Sequence, residues 1–142
     1  MNTDRLICVL SLSKTDVFGR GINAVDWLRN KDEKPYYFRT RKPKNGLPSG
    51  SIVLFSFQGQ IFGQATVKED VRELSPQEQE QARKRDHFDY RYSMILNGSS
   101  IEIFRNHPTK KDVAPKIRKN FGRLFTYLNA VQYQQILKMA GE

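Results

Sequence analysis

The sequence predicts a small, mostly antiparallel β-barrel of the α+β class, with about six short strands and two or three peripheral helices. Short apolar runs of strand length recur along the chain, turn residues separate them, and few segments space their apolar residues as a helix does. The 142 residues suit one domain with a core of its own. We expect residues 1–142 to form that single domain, an arrangement that would also suit a domain excised from a longer protein.

The first quarter of the chain predicts a strand, a loop, a helix and a second strand. Residues 5–12 (RLICVLSL) form a short, Ile-, Val- and Leu-rich run typical of a buried strand, and Cys8 within it is expected to be a buried thiol. Glycines punctuate a loop over residues 13–21. Apolar residues at helical spacing predict a short helix over 22–29, and the aromatic run at 35–40 predicts a strand.

The strongest local pattern predicts a β-hairpin. Residues 51–57 (SIVLFSF) and 61–67 (IFGQATV) are apolar runs on either side of a Gln-Gly-Gln turn. Gly59 can adopt the positive φ that a tight turn requires. Gly63 lies inside the second run, where it predicts a bulge or a close approach of another part of the backbone.

A polar helix follows, from Ser75 to Arg85. Serine at the N-cap, Pro76 at the first helical position and Glu78 three residues after the serine make a capping box. The segment is polar apart from Ala82, so we expect it to lie outside the barrel.

The last third predicts a second hairpin and a closing helix. Residues 90–96 and 100–104 are strand-like and are joined by Asn97-Gly98, a strong hairpin signal. The basic segment at 109–123 carries no clear secondary-structure pattern. Residues 130–140 predict an amphipathic helix capped by Asn129, and its inward positions are expected to include Val131, Ile136 and Met139.

Positive charge is concentrated in two windows. The chain has a net charge of +9 and a pI near 9.8. Residues 29–44 hold seven cations and two acids, and residues 105–123 hold seven cations and one acid. The summed net charge of these two windows is larger than the net charge of the whole chain, so the remaining residues are slightly acidic. Such clustering favours a polyanion partner, usually nucleic acid, over a uniformly solvated surface.

Patterns of catalysis, metal binding and membrane insertion are missing from the sequence. His87 and His107 have no ligands at metal-site spacing, and no Gly-rich phosphate loop, nucleophile elbow or convincing nuclease centre is found. We therefore predict a binding domain rather than an enzyme, with no cofactor. The longest apolar runs are too short to span a bilayer, and no signal peptide is recognisable, so no membrane partner and a cytoplasmic location are expected.

The stretch LPSGSIVLFSFQGQIFGQATV resembles the central hairpin of the PUA-like superfamily, and within it the EVE and YTH branch. The matching residues are Gly50, Val53, Leu54, Phe55, Ile61, Gly63, Ala65 and Val67. The order of first strand, loop, Trp-bearing helix and hairpin is also similar, so the resemblance covers about residues 5–70. The chain departs from the EVE pattern in one respect, because it has Val25-Asp26-Trp27 where EVE members keep a Trp-Asp-Gly-x-Arg-Asn run.

The resemblance implies a reader of modified bases. It implies a DNA-binding specificity module that flips a modified, methylated base into an aromatic pocket, in a restriction or defence system with a nuclease or motor domain or subunit. The residues that match the pocket positions are Ser11, Ser13 and Trp27. Two alternatives stay open: an RNA-binding PUA-like domain in RNA modification or translation, and a small-molecule or nucleotide hydrolase such as those of the ASCH branch.

The basic windows supply what such a reader needs beside the pocket. Tyr36 and Tyr37 are the nearest further rings, and as neighbours in a strand one should face inward and one outward. We expect phosphate contacts at the pocket rim from Arg39, Arg41, Lys42 and Lys44. The second window either clamps the other strand or is a solvated helix face. Apart from Arg105, its cations are the candidate contacts: Lys110, Lys111, Lys116, Arg118, Lys119 and Arg123.

Overall fold

A computed structural model describes residues 5–13, 23–31, 35–38, 47–86, 90–122 and 124–142. Within these ranges the chain forms eight strands and four α-helices. The strands are β1 Ile7–Leu12, β2 Pro35–Phe38, β3 Ile52–Phe57, β4 Gln60–Thr66, β5 Arg72–Glu73, β6 Tyr92–Ile95, β7 Glu102–Ile103 and β8 Phe125–Leu128. The helices are α1 Ala24–Arg29, α2 Pro76–Asp86, α3 Lys110–Ile117 and α4 Ala130–Met139.

The strands form two sheets. One has the order β7-β4-β3-β1-β8, and the other has the order β2-β6-β5. A single bridge between Val67 and Leu96 connects β4 to β6, where the two sheets meet. The α+β class and the mostly antiparallel pairing are confirmed, but β1 and β3 run parallel and the described strands do not close into one barrel.

The larger sheet is buried on both faces. Along β1, Cys8 and Leu10 pack in one hydrophobic cluster, whereas Val9 packs in a second cluster on the opposite face. The alternation of side chains across a strand explains why this run is apolar throughout. The buried thiol is confirmed, and burial raises the pKa of Cys8 to about 12. None of the helices in the described ranges has the length and apolar character that a membrane crossing needs.

The β3–β4 hairpin is confirmed. Gly59 has the expected positive φ, and the expected bulge and close backbone approach are found at Gly63. Gln58 and Gly59 turn the chain with φ values of 50° and 78°, as a type I′ turn requires. Phe55 pairs with Gly63 while Ser56 pairs with Ile61, so the intervening residue forms a bulge. A Cβ atom on Gly63 would lie 2.7 Å from the Glu102 carbonyl oxygen and 2.8 Å from a methyl group of Leu28.

We expect Gly63→Ala to destabilise the fold by about 1–3 kcal/mol, because the added methyl overpacks the contact between β4, β7 and α1. Urea unfolding of the variant should show a lower midpoint than the parent chain. Gly122→Ala is the matched control, since a Cβ atom there meets no heavy atom within 4 Å. Equal midpoints for the two variants would contradict the close approach at Gly63.

The capping box of α2 is confirmed and is reinforced by an arginine. Ser75 Oγ accepts from the Glu78 backbone N–H at 3.2 Å, and Glu78 Oε1 accepts from the Ser75 backbone N–H at 3.1 Å. Arg72 donates to both carboxylate oxygens of Glu78, at 2.8 and 2.6 Å. The Arg72 hydrogen bonds, followed by the Ser75 backbone, lower the pKa of Glu78 from 4.5 to about 2.

This pKa predicts a pH-dependent contribution to stability. Because the folded-state pKa of Glu78 lies below its ordinary 4.5, its ionised carboxylate stabilises the fold above pH 4.5, and that stabilisation disappears as the pH falls towards 2. We expect Glu78→Gln to be less stable than the parent chain at pH 7, with a difference that shrinks between pH 4.5 and 2. Denaturant unfolding at several pH values measures it. Glu80→Gln on the same exposed helix should have little effect at any pH, and a Glu78→Gln difference that persists at pH 2 would disprove the linkage.

The second predicted hairpin is wrong. β6 pairs with β2 and β5 in the smaller sheet, whereas β7 pairs with β4 in the larger one. Between them Gly98–Ser100 form a single 3₁₀ turn. The turn is held to the end of β4, because Asn97 N donates to the Thr66 carbonyl and Thr66 N donates to Ser100 Oγ, both at 2.8 Å. These non-local bonds outweigh the local hairpin preference of Asn-Gly.

The closing helix α4 is confirmed, but one of its predicted inward residues is wrong. Asn129 and Gln132 form a capping box at its start. Ile136 is fully buried and Met139 is partly buried, whereas Val131 is 78% exposed. The buried face is a narrow stripe, and Val131 lies five residues before Ile136 and thus outside it.

The two-residue strand β5 and two longer elements, α3 and β8, have no counterpart in the sequence prediction. The basic segment at 109–123 contains helix α3, whose N-cap Thr109 accepts from the Asp112 backbone N–H at 3.1 Å. Strand β8 pairs with β1 and completes the larger sheet. Both elements bring the C-terminal part of the chain against the first strand.

Candidate functional site

Three strands end side by side at one end of the molecule. Because β1 and β3 are parallel, Ser11 lies next to Ser56 at their carboxyl-terminal ends. Strand β2 also ends here, since the Phe38 ring lies 5.6 Å from the ring of Phe125, which pairs with Leu10. We call this region, defined by Ser11, Ser56, Phe38 and the start of α3, the β1 end.

A lysine and two serines form a polar cluster at the β1 end. Lys110 Nζ donates to Ser11 Oγ at 2.5 Å, and the Oγ atoms of Ser11 and Ser56 are 3.5 Å apart. The ammonium group also lies 5.7 Å from the centre of the Phe121 ring. Partial burial lowers the pKa of Lys110. The cluster therefore fixes one cation of the second basic window against the end of the first strand.

Next to it, six rings form an aromatic cluster that runs from α1 to the β1 end. Its members are Trp27, Tyr36, Phe38, Phe55, Tyr92 and Phe125. Trp27 meets Tyr36 edge to face at 5.6 Å, and Phe38 stacks on Tyr92 at 5.5 Å. Trp27 is 1% exposed and Tyr36 is 4% exposed. Both rings are thus core residues in this conformation.

One face of Trp27 is occupied by a cation. Lys31 is itself buried, and its ammonium group lies 5.0 Å from the centre of the indole ring. This cation–π contact occupies one of the two ring faces on which a flat ligand could stack. A ligand ring would have to displace Lys31 to reach that face.

The predicted pocket residues fall into two groups. Ser11 and the exposed Ser13 lie at the end of β1, whereas Trp27 and Tyr36 contact each other within the aromatic cluster. The side chain of Tyr37 lies outside what the structure describes. Tyr36 faces inward, as predicted for one of the two tyrosines.

Some of the predicted phosphate-binding cations lie on α3 or just after it, and the others lie outside the described residues. Lys110 is held by Ser11, while α3 and the residues after it carry the exposed side chains of Lys111, Lys116, Arg118 and Lys119. Arg118 ends the helix in the left-handed conformation, with φ 55° and ψ 46°. The other predicted cations lie outside the described residues: Arg39, Arg41, Lys42, Lys44 and Arg123.

Sequence reasoning did not find an open cavity of about 340 Å³ between α1 and the β3–β4 hairpin. Asp26 and Arg29 line it from the helix, Gln58 and Gln60 line it from the turn, and His107 lies at its edge. Two buried rings, Phe57 and Phe62, also contribute to its wall. In the sequence, the predicted Gln58-Gly59-Gln60 turn was the one signal for any part of its wall. Over the described ranges, no group of three or more His, Cys, Asp or Glu side chains is placed to hold a metal ion.

Several solved structures share the fold of this chain, among them proteins named ASCH and two complexes with DNA. The chain is similar to ASCH from Zymomonas mobilis (TM-score 0.64, 15% identity, 96% of each chain covered). It is similar to human THYN1 in complex with DNA that contains 5-methylcytosine (0.65, 8%, 96% of this chain and 98% of that one). It is also similar to the N-terminal domain of McrB from Thermococcus gammatolerans bound to m5C DNA (0.59, 12%, 96% and 98%).

At such low sequence identities, the structural similarity shows a shared fold and no more. No protein-family model matches the sequence, and no curated protein matches it either.

Proposed function

We propose that this chain, which has the PUA-like fold, is a DNA-binding specificity module that recognises a methylated base in a restriction or defence system. The observation that carries the proposal is the hydrogen bond from Lys110 to Ser11. It joins the cationic surface of α3 to the strand end where the family resemblance implies a base pocket. A base pocket needs phosphate contacts beside it, because these position the nucleic acid while the pocket provides specificity.

The energetics of base flipping explain why both parts are needed. Flipping a base out of a duplex costs a few kcal/mol, and one aromatic ring returns about 1–3 kcal/mol by stacking. Since Trp27 and Tyr36 are buried, the base must also displace Lys31 to reach the indole face that Lys31 covers. Phosphate contacts from α3 offset the remaining cost.

The neighbours of known structure support 5-methylcytosine as the first base to test. Two proteins of this fold, at 8% and 12% identity, are complexes with DNA that contains 5-methylcytosine or m5C. We propose that this chain binds such DNA in the cytoplasm and that a nuclease or motor, in the same protein or another subunit, acts on it. Catalysis then belongs to that partner.

Fluorescence anisotropy with matched 20-bp duplexes tests the proposal. The duplexes are unmodified or carry one 5-methylcytosine or one N6-methyladenine, and RNA of the same sequence competes for binding. We expect at least tenfold tighter binding to one modified duplex than to the unmodified one. Equal affinity for all duplexes would refute base recognition, and tighter binding of the RNA would favour the RNA-binding alternative.

A further inference from the structure

We propose that the cavity between α1 and the β3–β4 hairpin binds an unpaired nucleobase that carries an exocyclic amino group, which means cytosine or adenine. The inference rests on the proposed function, because a nucleic-acid partner would supply the base. It assigns a site distinct from the pocket implied by the family resemblance, since Ser11, Ser13, Trp27 and Tyr36 do not line this cavity.

The cavity has the size and the walls of a ligand site. Its volume of about 340 Å³ lies within the usual range for small-molecule sites. Phe57 and Phe62 contribute apolar ring surface, and the ring of His107 lies 6.3 Å from that of Phe62. Only a small part of each phenylalanine ring is exposed, and that part can contact any base, so the rings contribute to binding but not to selectivity.

Selectivity comes from the polar groups. The carboxylate of Asp26, which lines the cavity, offers only hydrogen-bond acceptors, and an acceptor pairs with the amino group of cytosine or adenine. The keto oxygen of uracil or thymine at the same ring position would face the carboxylate as a second acceptor. The amides of Gln58 and Gln60 both donate and accept, so they can satisfy the ring nitrogen beside the amino group.

The turn conformation supports a role for Gln58. A residue with φ 50° at the first position of this turn is ordinarily Gly, Asn or Asp, because longer side chains are disfavoured there. Gln58 nevertheless places a long amide at the cavity wall. Strained backbone positions cluster at ligand-binding sites, and this one lies beside a cavity lined by polar residues.

The cavity also lies beside the start of α3, the helix that carries exposed cations. His107 lines it, and the next residues lead directly into the helix. Thr109 forms a bridge with Gln60, and the Lys110 backbone N–H donates to the Gly59 carbonyl at 2.8 Å. A strand whose phosphates contact α3 would therefore pass the cavity opening.

NMR titration with free nucleosides tests the site without a polymer. 2′-Deoxycytidine and 2′-deoxyuridine differ at the position that Asp26 would read. We expect deoxycytidine to shift the side-chain amide signals of Gln58 and Gln60 and the backbone signal of Asp26. Deoxyuridine should bind about 5- to 100-fold more weakly, the usual discrimination of a good base contact. Asp26→Asn should reduce that ratio to about twofold or less, since an amide can also donate.

Glu69→Gln is the matched control, because Glu69 follows the opposite end of β4 and should leave the ratio unchanged. Gln58→Gly is a second variant that suits the turn; it should stay folded and bind deoxycytidine more weakly. Equal binding of the two nucleosides, or shifts confined to residues outside the cavity, would overturn the inference. Nucleoside shifts at the cavity without any duplex binding in the anisotropy assay would instead refute the proposed DNA-binding function.

Discussion

Trp27→Ala is expected to lower the free energy of unfolding by about 3–5 kcal/mol, the usual cost of removing a large buried aromatic residue. Trp27 is 1% exposed and contacts Tyr36 and Phe55 with its ring edges and faces. The substitution would leave a cavity and would also remove the ring beneath the buried ammonium group of Lys31. Urea unfolding followed by far-UV circular dichroism measures the change.

Val131→Ala is the control, because a side chain that is 78% exposed should contribute little to stability. A loss below about 1 kcal/mol for Trp27→Ala would contradict the core position of the indole.

The expected loss of stability in Trp27→Ala also determines which variant is suitable for testing base recognition. Trp27→Phe keeps a ring in the aromatic cluster and is the better variant for comparing methylated with unmodified duplexes.

Replacing Lys111, Lys116 and Lys119 together with alanine should weaken DNA binding equally for modified and unmodified duplexes. These side chains are exposed on α3 or just after it, where they can meet phosphates without touching a base. Each phosphate contact contributes about 0.9 to the slope of log affinity against log salt concentration. The triple variant should therefore lower that slope by up to about 2.7. Anisotropy titrations between 50 and 300 mM salt measure it.

Lys68→Ala is the matched control, because this exposed lysine follows the far end of β4. Its slope should equal that of the parent chain. An unchanged slope in the triple variant would show that α3 is a solvated face, the alternative that the sequence leaves open. A change in the ratio of modified to unmodified affinity would place these lysines at the base rather than at the phosphates.

Local signals account for the parts of the fold that the sequence predicts well. The Gln58-Gly59 turn, the capping box at Ser75 and the Asn129 cap each depend on residues within four positions of one another. The partners of a strand, by contrast, can be far away in the sequence. The Asn97-Gly98 signal is overridden by bonds to Thr66, about thirty positions away in sequence, so local propensity names the strands but not the sheet that each one joins.

The same limit applies to the candidate site. Charge clustering indicates which cations matter, but Lys110 and Ser11 are 99 positions apart, and only the pairing of β8 and the docking of α3 bring them together. The cavity likewise needs α1, the hairpin turn and His107 at once. Burial is the other quantity that a local pattern does not give, and it places Trp27 and Tyr36 in the core rather than on an open wall.

Because Trp27 is buried against Lys31, its intrinsic fluorescence can report a structural change at this contact. Trp27 is the only tryptophan in the sequence, so tryptophan fluorescence, excited selectively beyond the tyrosine absorption, comes from one defined place. An indole shielded from water emits at shorter wavelength than one in solvent, and a ligand that moves Lys31 would change the emission without any attached dye. Unfolding would change it too, but unfolding also exposes the thiol of Cys8. A spectral shift while Cys8 stays unreactive would therefore report opening of the aromatic cluster in a folded molecule.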